Sequence, residues 1–249
     1  MEALDRLLAV LDRPLLCDGL FDGIPDTIFF VKDRDGRYVV ANQVLAERTG
    51  FGRKEALLGL TADAVFPGAL GRRIAEQDRA ILAGGRALKG ELELHLYPGG
   101  REGWCLTWKQ PLLDRARAVV GVVGLSRDLR PANEAPDETA ALSAALRSAR
   151  GRPGASVGDL AARAGLSVFQ LDGRLRAMFG LSAGQYLTRL RIEEAGERLR
   201  HGDEPIVAVA LASGYADQTA FARQFRKVVG LSPGAYRKVS RGSPRTGTV

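Results

Sequence analysis

Gln218, Thr219, Ala222 and Arg223 are spaced so that, on a helix, they share an outward arc while Phe221 and Phe225 take the opposite face. An amide and a guanidinium displayed this way have defined partners. Glutamine pairs with the edge of adenine and arginine with the acceptors of guanine in a groove wide enough to admit a helix. That chemistry is recognition, not bond making, and the rest of the chain agrees. It contains no GxSxG, no Walker loop and no pairing for its 2 histidines that would support hydrolysis or group transfer, so no enzymatic activity is expected. Cys17 and Cys105 lie far apart without a CxxC or Cys/His spacing, so neither a zinc site nor a disulfide framework is expected, and a reduced, cytoplasmic setting fits.

The elements that must hold these side chains occur twice. Leu160-Ala-Ala-Arg-Ala-Gly165 aligns with Val209-Ala-Leu-Ala-Ser-Gly214. One residue later in register, Leu171 and Leu175 align with Phe221 and Phe225, and Gly180-Leu-Ser-Ala-Gly-Gln-Tyr186 aligns with Gly230-Leu-Ser-Pro-Gly-Ala-Tyr236. Each copy reads as a helix with a small alanine in its middle, a glycine turn, a polar N-cap (Ser167, Asp217) and a second helix with an apolar i, i+4 pair. This is a helix-turn-helix pattern. The small Ala161 and Ala210 let the second helix approach, and Gly165 and Gly214 supply the left-handed turn. Between the copies, Gln185 to Arg200 predicts one connecting helix that spaces the two units, with His201 at its C-terminal end, where a cation suits the helix dipole.

Charge follows the same division. Residues 131–249 hold 17 Lys and Arg against 11 Asp and Glu, so they carry +6 of the net charge of +7. A basic excess confined to one half is the footprint of a polyanion binder.

Residues 137–238 resemble the DNA-binding domain of the AraC/XylS family of bacterial transcription regulators. The resemblance rests on Arg191-Ile-Glu-Glu-Ala195, Pro205 to Tyr215, Asp217-Gln-Thr-Ala-Phe-Ala-Arg-Gln-Phe-Arg-Lys227 and Gly230 to Arg237. It implies double-stranded DNA as partner, with RNA polymerase a further one, and places base contacts of the second unit on Gln218, Thr219, Ala220 and Arg223. In the first unit the corresponding places fall on Phe169, Asp172 and Gly173, a departure from the family, in which arginine is common at the Gly173 position. The expectation is therefore an unequal pair. The second unit reads bases, and the first anchors on phosphates through Arg174 and Arg176, with Arg226 and Lys227 doing the same in the second.

The first half reads differently. Ile28 to Lys32 and Arg37 to Ala41 flank the turn cluster Asp33-Arg-Asp-Gly36 and predict a hairpin. Helices are predicted over Asn42 to Thr49, Glu55 to Leu58 and Leu70 to Ala83, followed by strands over Gly90 to Tyr97, Trp104 to Leu112 and Val119 to Arg127. This order, with Phe30 to Asn42, Gly50-Phe51 and Gly121 to Asp128, resembles the PAS sensor family. The resemblance implies an α+β domain, a five-stranded antiparallel sheet with short helices around a pocket, and a tendency to form homodimers.

Strand alternation puts Leu92, Leu94 and Leu96 on one face and Glu91, Glu93 and His95 on the other, so His95 is expected to point away from the apolar interior. That argues against haem, as does a long helix without histidine, and neither cysteine follows the Asn-containing helix as a flavin photosensor of the LOV type requires. That leaves a small organic ligand or an empty dimerisation module; Trp104, Leu106 and Trp108, which share one strand face, either fill the core, the preferred reading, or line a pocket for which Leu94 and Ile74 are further candidates. A redox or light sensor with a cofactor in this half is the alternative. The whole reads as an amphipathic helix over 1–17, a PAS-like domain over 18–130, a linker over 131–136, an all-α double helix-turn-helix domain over 137–240 and a flexible tail over 241–249. No apolar run approaches the ~20 residues of a membrane span.

Overall fold

The computed structural model describes residues 18–66, 68–84, 86–96, 102–129, 140–150, 152 and 154–242. The expected helix over 1–17, the linker over 131–136 and residues 243–249 of the expected tail lie outside them.

After α1 (Asp18–Asp22), β1 (Thr27–Asp33) and β2 (Tyr38–Ala41) form the expected hairpin. Its turn is set by Asp33, whose Oδ1 accepts from the amides of Asp35 and Arg37 at 2.9 Å each, and by Gly36 at φ 75°. Asn42 then starts α2 (Gln43–Thr49). Its fully buried Oδ1 accepts from the amides of Leu45 (3.3 Å) and Phe29 (2.9 Å), while Nδ2 donates to the carbonyls of Thr27 (2.7 Å) and Phe21 (3.1 Å). One side chain thus caps a helix and pins it to β1.

A 3₁₀ turn (Lys54–Leu57), α3 (Ala62–Val65) and α4 (Ala69–Leu82) follow. The four-residue α3 is not foreseen, since a single turn carries no helical period to detect. Strands β3 (Leu88–Leu96), β4 (Glu102–Leu113) and β5 (Val119–Asp128) complete a five-stranded sheet of order β2-β1-β5-β4-β3. β5 pairs antiparallel with β1 from Thr27 opposite Arg127 to Asp33 opposite Gly121.

The remaining helices are α5 (Ala140–Arg150), α6 (Val157–Arg163), α7 (Val168–Phe179), α8 (Ala183–His201), α9 (Ile206–Ala212), α10 (Gln218–Val229) and α11 (Pro233–Gly242), the last running two residues into the expected tail. Ser156, Ser167 and Ser182 cap α6, α7 and α8 with reciprocal capping boxes closed by Asp159, Gln170 and Gln185. The chain gathers into two compact units. One is built from residues up to Lys89 with Thr107–Arg127, the other from Gly90–Leu106 with residues from Asp128 onward.

Within the second unit the repeat survives in three dimensions. Residues 171–180 and 221–230 share one succession of buried and open positions, with Leu171, Leu175, Met178 and Phe179 buried in α7 where Phe221, Phe225, Val228 and Val229 are buried in α10. Both helices end on a left-handed glycine, Gly180 (φ 70°) and Gly230 (φ 83°). The small Ala161 and Ala210 are buried in α6 and α9, as close helix packing requires. Around the second copy Phe221, Phe225 and Tyr236 stack edge to face with centroids 5.4 Å apart, in a core that also takes Ile192, Ala195 and Leu199 from α8 and Leu94 from β3.

Candidate nucleic-acid interface and buried polar clusters

The exposed arc of α10 carries Gln218, Thr219 and Arg223 in the open, with Ala220 half-buried beside them. The helix is fixed from below by Phe221 and Phe225 and at its start by Asp217, whose carboxylate accepts from the Ala220 amide at 2.8 Å. Arg226 and Lys227 stand exposed in its last turn, where their charge also suits the helix dipole. Lys227 lies 2.9 Å from Glu91. Neither Arg223 nor Arg226 makes an ion pair among the described residues, whereas Arg189, Arg198, Arg200 and Arg241 are each tied to a carboxylate. Much of the basic excess of this half is therefore spent inside the unit, and α10 keeps an uncompensated share on its outward face.

The corresponding arc of α7 shows why the two units differ. Phe169 is 87% exposed, Gly173 is exposed with open space around the position of a Cβ, and Arg174 is half-buried. Asp172 is engaged on both oxygens: Oδ2 accepts from Arg176 Nε at 2.7 Å and Oδ1 from the Ala183 amide at the start of α8, at 2.8 Å. The Ala183 amide, and then Arg176, hold the Asp172 carboxyl below its ordinary value. Asp172 thus fastens α7 to α8, and Arg176 shares its charge with a carboxylate. Asp172→Ala is expected to lower the stability of the second unit by about 1 kcal/mol, the scale of one charge-assisted hydrogen bond in a solvated site. A group whose folded pKa is depressed contributes above its unfolded pKa, so the gap between wild type and variant should close as pH falls below about 3.8. Urea denaturation at neutral and acidic pH reads both.

The connecting helix α8 runs 19 residues, which at ~1.5 Å per residue makes a rod of roughly 28 Å between the two helix-turn-helix copies. His201 at its end is exposed and lies 3.4 Å from Glu197.

The first unit buries a cluster of polar side chains. Asp78 of α4 takes Lys32 Nζ at 2.5 Å on one oxygen and Lys109 Nζ at 2.7 Å on the other, and all three side chains are no more than 3% exposed. Lys109 also donates to Gln77 (3.0 Å), and the Lys32 ammonium sits 4.2 Å from the Tyr38 ring centroid. Burial alone would raise the Asp78 carboxyl, but Lys109 and Lys32 outweigh it and hold it low, whereas burial pushes Lys32 down. Thr107 and Ser126 pair across neighbouring strands at 3.0 Å.

Trp104, Leu106 and Trp108 alternate along β4 with Cys105, Thr107 and Lys109, and Lys109 is the one of these that reaches Asp78. Trp108 lines a surface groove of about 410 Å³ with Val123 and Leu125, Leu94 and Trp104 border another of about 310 Å³ beside α8 and Tyr236, and Leu106 and Ile74 are buried. His95, on the strand face away from Leu92 and Leu94, is buried beside polar groups. It is 4% exposed and Nε2 lies 3.0 Å from Glu93 Oε2, itself 2% exposed. Burial pushes the imidazole down, yet Cys105 and Glu93 beside it prevail and lift its pKa to about 10. Alternation assigns residues to two faces, but it does not say that the polar face meets water.

Among the described residues no helix is long and apolar enough to cross a membrane.

Comparison with known proteins agrees with both halves. The family described as "Helix-turn-helix domain" matches residues 160–239 and that described as "PAS fold" matches residues 21–134. An AraC-like transcription regulator of Streptomyces antibioticus is 40% identical over 83 residues, 33% of this chain and 27% of that protein. The MmsAB operon regulatory protein of Pseudomonas aeruginosa is 42% identical over 79 residues, 32% of this chain and 26% of that protein. The DNA-binding domain of AdpA, solved in complex with a target DNA, is 30% identical with a TM-score of 0.41, covering 44% of this chain and 100% of that one. The chain spans about a quarter of the length of the curated relatives it matches.

Proposed function

We propose that this chain, an AraC-type helix-turn-helix domain preceded by a PAS fold, binds duplex DNA sequence-selectively and regulates transcription, and that its PAS half sets when it does so. The observation that carries this reading is the repeated unit. Two helices with the same succession of buried and open residues are held at opposite ends of a rigid rod, and the second presents Gln218, Thr219 and Arg223 to the exterior. Two reading helices on one face of a rod meet successive major grooves when their separation approaches the ~34 Å turn of DNA.

The roles within the pair are unequal. Gln218, Thr219 and Arg223 read base edges, with Ala220 in van der Waals reach, while Arg226 and Lys227 position the helix on phosphates. Arg174 and Arg176 anchor the first unit, whose Phe169, Asp172 and Gly173 offer little hydrogen-bonding for bases.

The PAS half supplies the input, a small organic ligand or a homodimer contact, and the output is promoter engagement in the cytoplasm, with RNA polymerase as the downstream partner. Control of this kind requires two states of differing DNA affinity. Selection from randomised duplexes with the full chain tests the reading. It predicts enrichment of a recurrent motif, and a pool that stays random after repeated rounds would refute it.

A further inference from the structure

Three side chains of different chemistry converge on the adjacent strands β3 and β4. Glu93 and His95, two residues apart, lie on one face of β3, and Cys105 comes from β4. All three are buried, at 2%, 4% and 0% exposure. One donor atom from each lies within 4.8 Å of the other two. An imidazole standing between its neighbours, with the carboxylate on one ring nitrogen and the thiol on the other, would hold those two farther apart. The three donors instead surround a common point.

A carboxylate oxygen, an imidazole nitrogen and a thiol sulfur form a mixed donor set with a definite preference. Magnesium and calcium take oxygen ligands, so the nitrogen and sulfur disfavour them. Zinc-class divalent ions accept all three, at bond lengths of ~2.0–2.3 Å that put tetrahedral donors roughly 3.3–3.5 Å apart. With the donors within 4.8 Å of one another, the separations need to close by at most about 1.5 Å to reach that spacing. We propose that Glu93, His95 and Cys105 bind a zinc-class divalent cation, with one coordination position left for water or a further ligand. An ion held there ties β3 to β4 and gives the chain a metal-responsive element that does not depend on how it reads DNA.

The test uses the full chain, reduced and stripped of metal by a chelator, titrated with Co²⁺ and then Zn²⁺. The proposal predicts one equivalent of Co²⁺ bound with a thiolate-to-cobalt charge-transfer band, displaced by Zn²⁺. Cys105→Ser should abolish the band, and His95→Ala should weaken binding by at least about tenfold, since even changes to groups behind a ligand cost that much. Cys17→Ser and His201→Ala should leave band and affinity unchanged, and a band that disappears with Cys17→Ser while surviving Cys105→Ser would overturn the assignment. Should Cys105→Ser or His95→Ala fail to fold, the wild-type and Cys17→Ser spectra still decide. A thiolate band in both supports the site. Failure of the wild type to bind a stoichiometric ion, or binding without the band, overturns it.

Discussion

Replacing Asp78 by alanine is expected to destabilise the first unit by roughly 3–5 kcal/mol, the cost of leaving buried charge without its partner. The figure follows from the geometry: one carboxylate holds two ammonium groups at 2.5 and 2.7 Å in a site where none of the three side chains exceeds 3% exposure. Removing it leaves Lys32 and Lys109 buried without the carboxylate that both bind, beside the Gln77 amide oxygen and the rings of Tyr38 and Phe30. Exchange of all three for apolar residues of similar volume should instead be close to neutral, because it removes the charges together with their desolvation cost. Hydrogen exchange of the β1 amides during urea titration would report the first unit specifically. A loss below about 1 kcal/mol for Asp78→Ala would mean that water reaches the cluster and screens its charges. The carboxyl is held low by its partners, so its contribution is present above about pH 3.8 and disappears as acid protonates it.

The second large effect belongs to Arg223. On a site recovered by selection, Arg223→Ala should cost about 1–3 kcal/mol, roughly five- to 150-fold in affinity, and relax preference at one base pair. Arg174→Ala should behave otherwise, weakening all sequences alike and lowering the salt slope by about 1, as loss of a phosphate contact does. The distinction rests on how the arcs are built: α10 presents an exposed guanidinium on the face opposite the buried Phe221 and Phe225, while α7 has Gly173 with no side chain and Asp172 tied to Arg176 and the Ala183 amide. Equal loss of base preference from alanine changes in both units would remove the proposed asymmetry.

The parts of this molecule that were legible in its sequence are those governed by local rules. Ser167 and Asp217 cap helices because a short polar side chain there has an amide to accept from. Gly180 and Gly230 end them in the left-handed region, and the repeat of Leu171 and Leu175 in Phe221 and Phe225 marks the buried stripe. The first hairpin was readable from Asp33 to Gly36 for the same reason. The interior of the PAS half was not, because it depends on pairing between strands and on what covers them. Period-2 alternation correctly separated Leu94 from His95, but which set meets solvent is decided by helices tens of residues away. Lys32, Asp78 and Lys109 look like surface charges until α4 is laid on the sheet. Glu93, His95 and Cys105 lack any contiguous motif, and only the register of β3 against β4 brings them together. A search for polar residues two apart on strands predicted to be neighbours would have singled them out.

The most direct test of sequence-selective DNA binding is a competition, at a stated salt near 150 mM, between a selected duplex and a scrambled duplex of equal length for the full chain. The account predicts that the selected duplex binds at least about 10³-fold tighter. Equal affinity for the two would contradict it, reducing the second half to a basic surface that holds any polyanion.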